Sequence, residues 1–407
     1  MSIASFAKVL KPMPLALAVS IAMLSGTVIA ADVTVYGVVD SGLYYTKASG
    51  SDATLEMASG ITKGSRVGLR GKELLGNGYS VIFNLESGFT VDDGALDNTN
   101  NRLFNRGASL GVAAPWGKVE MGRLGALGSG VTGSIFLNSY TTFGNLYKEA
   151  QALQVIGHQV MRLDNAIRVE STSMRGFKLY GEYSNGTDGE DSGFDSKHDR
   201  FAAVGATYTN GPVSFVFVAD NMFYAHSTKT PYYDRDDSQT YNFGAKYRPS
   251  KDWTFTVAYQ IGRSVEKLGN KVTKAGNSAK DSKSYHVDPS GIDSNAVVLG
   301  MRTRVLGGEL KLQGGYASGK SDVSRTSISK KKTYLYQDQK DHIWQLAVGY
   351  DYPLSKSTYL YGAAAYVNRN QKLSTYSTSG KNAGSLDKYT DTTTHVRSVM
   401  LGICHSF

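Results

Sequence analysis

Apolar and polar residues alternate with period two along almost the whole chain, and few folds accept that pattern at such length. VTVYGVVDSGLYYTK places Val33, Val35, Val39, Leu43 and Tyr45 on one face, with Thr34, Asp40 and Tyr44 on the other. This is a β-strand with a different environment on each side. In SRVGLRGKEL, Val67 and Leu69 oppose Arg66, Gly68, Arg70 and Lys72; in YSVIFNLESGF, Val81, Phe83, Leu85 and Phe89 oppose Asn84 and Glu86. Further on, Trp253, Phe255, Val257, Tyr259 and Ile261 face one way, and Thr254, Thr256, Ala258 and Gln260 the other. A small, polar inner face describes a water-filled lumen, not a dry core.

The strands come in pairs. LLGNG joins the second and third, and further pairs are expected near 106–114 and 117–124, 164–172 and 176–184, 200–209 and 213–223, 239–249 and 252–264, 295–306 and 308–319, and 342–352 and 357–369. A last strand runs from His395 to Phe407. Counting gives about sixteen strands, with short turns at one end and long polar loops at the other. That asymmetry is what an all-β, closed antiparallel barrel crossing an asymmetric membrane requires, and closure removes edges that lipid does not tolerate. Tyr44, Tyr183, Tyr208, Phe223, Tyr247, Tyr350 and Tyr352 recur near strand ends, as interfacial aromatic girdles do. A soluble all-β protein, with these aromatics in an ordinary core, is the alternative.

A length of 407 residues would suggest two or three domains, yet no linker divides the chain. The one cysteine, Cys404, excludes an intrachain disulfide and a cysteine-based zinc site. At the N-terminus, Lys8 and Lys11 precede the apolar stretch Met13 to Met23, and Val28 and Ala30 suit a cleavage site. Residues 1–30 therefore read as a secretory signal peptide cleaved after Ala30 or Ala31, leaving 31–407 as one barrel domain; an uncleaved anchor is the alternative. Removing 1–30 takes away two lysines and no acid, so the net charge of +9 falls to +7. An exported protein has little access to nucleic acid, so this charge is read as attraction for small anions or acidic lipid surfaces.

One stretch, about 125–163, breaks the alternation for longer than any other. It is rich in apolar residues, among them Ile135, Phe136, Leu137, Phe143, Leu153, Val155 and Ile156, which need a wall to pack against. The expectation is a constriction loop folded into the barrel, long loops in compact architectures being commonly functional; a surface flap is the alternative.

By alternation Arg66 and Arg70 point into the lumen, and Arg106 and Arg168 lie in neighbouring strands around the long loop. Arginines keep their charge when poorly hydrated, and rings of them favour anions in pores. Glu149 and Asp164 are expected to supply an opposing negative side, with Lys148 and Arg162 beside them. The competing reading pairs the arginines with Asp40, Glu86, Glu170 or Glu182 as internal struts. Lysines 267, 271, 274, 280, 283 and 330–332 of the outer loops either steer anions or meet lipid phosphates. No GxSxG, HExxH, EF-hand or phosphate-loop pattern occurs, so neither catalysis nor a cofactor or metal is expected.

The segments VTVYGVVDSGL, SRVGLRGKELLGNG, FNLESGF, FNRGASLGV, WGKVEMGR and LGICHSF, in that order, resemble those of the trimeric sixteen-stranded Gram-negative porins of the beta-proteobacterial type. The resemblance covers essentially all of the mature chain. It implies an outer-membrane homotrimer that passes small hydrophilic solutes and tends to prefer anions. It also implies that Phe407 is the terminal aromatic shown to the barrel-assembly machinery. The chain departs from the family at Cys404, where a basic residue is usual, and at Gly107, where a longer side chain is usual. A solute-specific channel with a saturable site and a surface-binding adhesive barrel remain the other readings.

Overall fold

The computed structural model describes residues 32–97, 102–187, 198–225, 237–265, 268–269, 285–287, 291–327, 333–377 and 386–407. The leader read in residues 1–30 and the outer-loop lysines 267, 271, 274, 280, 283 and 330–332 lie outside them.

The first strands are β1 (Asp32–Ala48), β2 (Thr54–Ser59), β3 (Arg66–Gly76), β4 (Tyr79–Gly88), β5 (Gly107–Ala114) and β6 (Gly117–Gly125). After a long connection come β7 (Arg162–Ser171), β8 (Phe177–Ser184), β9 (Arg200–Asn210), β10 (Val213–Phe223), β11 (Ser238–Tyr247) and β12 (Trp253–Val265). The last are β13 (Tyr285–Val287), β14 (Ile292–Val305), β15 (Gly308–Ser327), β16 (Thr333–Pro353), β17 (Thr358–Ser377) and β18 (Leu386–Ser406).

These eighteen segments fill sixteen positions of one antiparallel barrel. β2 and β3 share a position, since β1 pairs with β3 over 32–38 and with β2 over 41–46. β13 and β14 share another, both pairing with β15. The barrel closes where β1 meets β18, from Val38 opposite Ser406 to Ala48 opposite Val396. The expected sixteen-stranded barrel is thus observed, with longer outer ends than expected: β16 starts at Thr333, β17 continues to Ser377 and β18 starts at Leu386.

Alternation decides the two faces. Val35 and Leu299 are 60% and 56% exposed on the outside, where lipid covers them, whereas Asp40 and Gln260 of the same wall are buried on the inside. Short turns gather at one end. Asn77 and Gly78 (φ 51° and 80°) and Leu306 and Gly307 (φ 52° and 81°) both take the left-handed conformation that two-residue hairpins demand.

The chain end completes the seam. Gly37 and Phe407 exchange backbone hydrogen bonds of 3.0 and 3.1 Å, and the Phe407 ring lies over Gly37. A side chain at Gly37 would strike that ring and come within 2.8 Å of the Arg66 carbonyl. Gly37→Val is therefore expected to cost about 1–3 kcal/mol by overpacking. The check is the temperature at which the folded, fast-migrating band is lost in heat-modifiability gels; an unchanged temperature would mean that the seam tolerates the bulk.

Candidate functional site

The connection 126–161 between β6 and β7 does not leave the barrel. It turns inward through the one-turn helix α1 (Leu137–Tyr140) and two 3-10 turns, Lys148–Ala150 and Ala152–Gln154. Its aliphatic and aromatic residues bury themselves against a strip of inner wall that is itself apolar. Leu127, Phe136, Leu137, Leu153, Val155 and Ile156 pack with Val218 of β10, Ala258 of β12, Val298 of β14 and Ala317 of β15. The hydrophobic effect thus lays the loop on the wall, and leaves Thr132, Gly133, Asn138 and Ser139 exposed towards the passage.

Hydrogen bonds fix where the loop sits. Gln313 of β15 accepts from the Thr142 and Phe143 amides at 3.2 Å and donates to the Ala150 carbonyl at 3.0 Å. Gln260 of β12 exchanges two 2.8 Å bonds with the Gly157 backbone, and Gln345 of β16 donates to the Glu149 and Gln151 carbonyls. Arg302 of β14 donates to the Thr141 and Thr142 carbonyls at 2.9 and 2.7 Å. At the far tip the Tyr147 hydroxyl donates to Asp351, and Lys311 bridges the two. Burial and the Asp351 carboxylate hold the Tyr147 phenol well above its usual range, and burial pushes Tyr140 up to about 12. Both remain neutral donors at working pH.

Close approach needs the inner wall to be hollow. Gly205, Gly244, Gly315 and Gly349 stand beneath Ile135, Tyr140, Val155 and Phe143, each with room for a Cβ only at 2.6–2.8 Å from a neighbour. Gly300 stands beneath Thr142 and is more crowded still.

With the loop lying along β8–β18 and its tip reaching Tyr44 of β1 and Ile61 just after β2, the passage runs past the wall of β3–β7, where the arginines collect. Glu86 is held between Arg106, whose Nε donates at 2.8 Å, and Arg66 at 3.5 Å, and it accepts from the Tyr36 hydroxyl at 2.9 Å. Asp164 bridges Arg102, at 2.6 Å, and Arg123. Arg162 donates from Nε to the Arg106 carbonyl at 3.0 Å. Asp97 lies 3.9 Å from Arg106. Among the described residues, five guanidinium groups therefore gather with three carboxylates, an excess of two positive charges. Arg70 stands further along the lumen with its guanidinium 5.2 Å from the centre of the Tyr36 ring.

Several residues sit differently from the sequence expectation. Asp164 is not opposite the arginines but among them, because it is the third residue of β7 and reaches Arg123 on β6 and Arg102. Arg168 is 4% exposed, paired with Glu182 and donating to the Gly125 and Gly133 carbonyls, so it clamps the loop base instead of facing the passage. Glu149 accepts from the Tyr44 hydroxyl of β1 at 2.5 Å, on the strand that pairs with the one carrying Arg66. Arg102 and Arg123 went unnoticed in the sequence. Arg123 shares the lipid-side parity of Met121, but the β6–β7 register shifts between Gly122 and Leu124, and that bulge turns its side chain inward. Arg102 lies in a loop, where alternation says nothing.

An apolar-sided barrel with a hydrated lumen, narrowed by its own inward loop, is a membrane diffusion channel. The family described as Gram-negative porin matches residues 16–372, and the chain belongs to it. Outer membrane porin protein 32 of Delftia acidovorans is 27% identical over 411 residues, 96% of this chain and 99% of that one. An outer membrane porin of Bordetella pertussis is 26% identical over 369 residues, 82% and 88% of the two chains. The anion-selective porin from Comamonas acidovorans shares the fold with a TM-score of 0.58 at 23% identity, covering 93% of this chain and all of that one. The protein is an outer-membrane channel for small solutes.

Proposed function

We propose that this channel prefers anions and that the arginine cluster of β3–β7 sets the preference. The observation that carries the reading is the unequal count among the described residues of the cluster, with Arg66, Arg102, Arg106, Arg123 and Arg162 against Glu86, Asp97 and Asp164. Guanidinium charge persists in a poorly hydrated site and offsets the partial dehydration of a passing anion. Inorganic phosphate, chloride and small carboxylates are the solutes this field favours. The fold relative from Comamonas acidovorans, an anion-selective porin, supports the same reading.

The assembled form is a homotrimer in contact with outer-membrane lipids. Its leader 1–30 is removed on export, and Phe407 serves as the terminal mark that the barrel-assembly machinery reads. The protein works as a passive channel and not as an enzyme.

The zero-current potential of the refolded protein in a planar bilayer under a KCl gradient tests the preference. Wild type should show the anion-selective sign, and Arg106→Gln with Arg162→Gln should reduce the anion-to-cation permeability ratio by about fivefold. A cation-selective wild type would overturn the reading, and an unchanged ratio in the variant would remove the cluster from it.

A further inference from the structure

The outer surface of β15–β17 carries a charge pattern that pore function does not use. Lys320, Lys340 and Lys372 stand abreast on three adjacent strands, each directly opposite the next, and all point away from the lumen on the same parity as Tyr316 and Trp344. Like charges directly opposite one another are destabilising in a sheet. Acids flank the row but leave its middle alone. Asp293 lies opposite Lys320 and accepts from the Ser264 amide at 3.1 Å; Asp391 lies 3.5 Å from Lys372 and accepts from Asn370 at 2.7 Å. Lys340 has a lysine on either side. A second such pair, Lys47 opposite Arg397, lies on β1 and β18.

The row has a definite height. Lys340 is four residues beyond Trp344 on β16, about 13 Å along the strand. Trp344 and Tyr366, with ring centroids 4.9 Å apart, mark the aromatic belt between hydrocarbon and headgroups. Lysines just above that belt, at the end carrying the long loops, sit at headgroup level in the outer leaflet. Directly below lies an outward groove of about 810 Å³, lined by Leu312, Gly314, Leu346, Ala364 and Val399, with Arg397 on its rim. Its depth comes from the missing side chain at Gly314 and the short one at Ala364.

We propose that this face binds a phosphate-bearing glycolipid of the outer leaflet, its phosphates bridging Lys320, Lys340 and Lys372 and an acyl chain lying in the groove beneath. Only an amphiphile satisfies both halves: a free phosphate would leave the groove empty, and a neutral lipid would leave the lysines opposed. The inference rests on the lipid partnership proposed above and is independent of ion preference.

The test is binding of the refolded protein in detergent to lipid A carrying both phosphates, followed by native mass spectrometry. Lys320→Gln/Lys340→Gln/Lys372→Gln is expected to weaken binding roughly a hundredfold, since each basic side chain at an anionic lipid surface is worth about fivefold. Lys340→Gln alone should lose about fivefold and serves if the triple variant fails to fold. Ala364→Phe, which fills the groove, should weaken binding without touching a charge, while Lys251→Gln/Lys356→Gln in the short turns should not. Equal binding by wild type and the lysine variants would overturn the site and leave the lipid partnership standing. Displacement by inorganic phosphate, or equal binding of dephosphorylated lipid A, would overturn the proposed occupant. No glycolipid on wild type would overturn both.

Discussion

Arg168→Met is expected to cost about 3–5 kcal/mol and to loosen the base of the inward loop, the largest single-residue effect in the lumen. The guanidinium reaches the Glu182 carboxylate, donates to the Gly125 carbonyl, and donates to the Gly133 carbonyl at 2.9 Å. Glu182 in turn accepts from the Leu127 amide at 3.0 Å. One ion pair thereby holds three points on the first stretch of the loop. Removing the cation leaves a carboxylate at 5% exposure with no counter-charge, and that uncompensated burial, more than the lost attraction, sets the cost. The double variant Arg168→Met/Glu182→Met should recover most of the stability while still lacking the clamp. Loss of the folded band on heating reads stability, and open-channel current noise reads the loop. A single variant that melts with wild type would show that the loop base is held by its apolar contacts alone.

Gly300→Leu is expected to reduce single-channel conductance by about half. The inner wall at Gly300 is in contact with Thr142, and a Cβ there also comes within 2.5 Å of Thr256 Oγ1. A leucine cannot be housed between wall and loop. The loop remains tied elsewhere, by Gln345 to the Glu149 and Gln151 carbonyls and by Tyr147 to Asp351, so it bows into the passage rather than lifting free. Gly300→Ala should give a smaller fall of the same sign. A rise in conductance would mean that the ties at the tip yield before the loop bends.

The barrel itself was legible because lipid and lumen impose opposite demands on successive residues. Wherever both solvents are present, as over Trp253–Ile261, the alternation is plain. Where a strand rises above the membrane, both faces meet water and the pattern vanishes. TYLYQDQKD at the start of β16 and NQKLSTYS at the end of β17 carry no sustained apolar–polar alternation in the sequence, so nothing there marks the strands as continuing. β2 escaped for a related reason, since its six residues follow a polar turn and carry only Leu55 and Met57 outward.

The site was legible only in part. Arg66, Arg106 and Glu86 follow from parity and from their place beside the loop, and they do converge. Arg123 required knowledge of a bulge, and Asp164 of where β7 begins. Arg168 obeys the alternation and Glu182 is among the carboxylates the strut reading offers, but which arginine takes which carboxylate is set by the pairing register, here Arg168 opposite Glu182. Parity tells which side of the wall a charge is on, but not whether another charge has already claimed it.

The seam between β1 and β18 bears on how such a molecule comes into being. The first strand spends the whole of synthesis waiting for the last, because the partner of residues 38–48 is residues 396–406, with Phe407 still to follow. Until then the sheet has two raw edges, on β1 and β17, and either can recruit a stranger's strand as readily as its own. Nearly every local hairpin can form early, but the step that makes a tube from a ribbon joins points almost a full chain apart, the slowest kind of contact to find. Escort of the unclosed ribbon, more than the strength of any hairpin, then decides how much of the protein reaches its finished state.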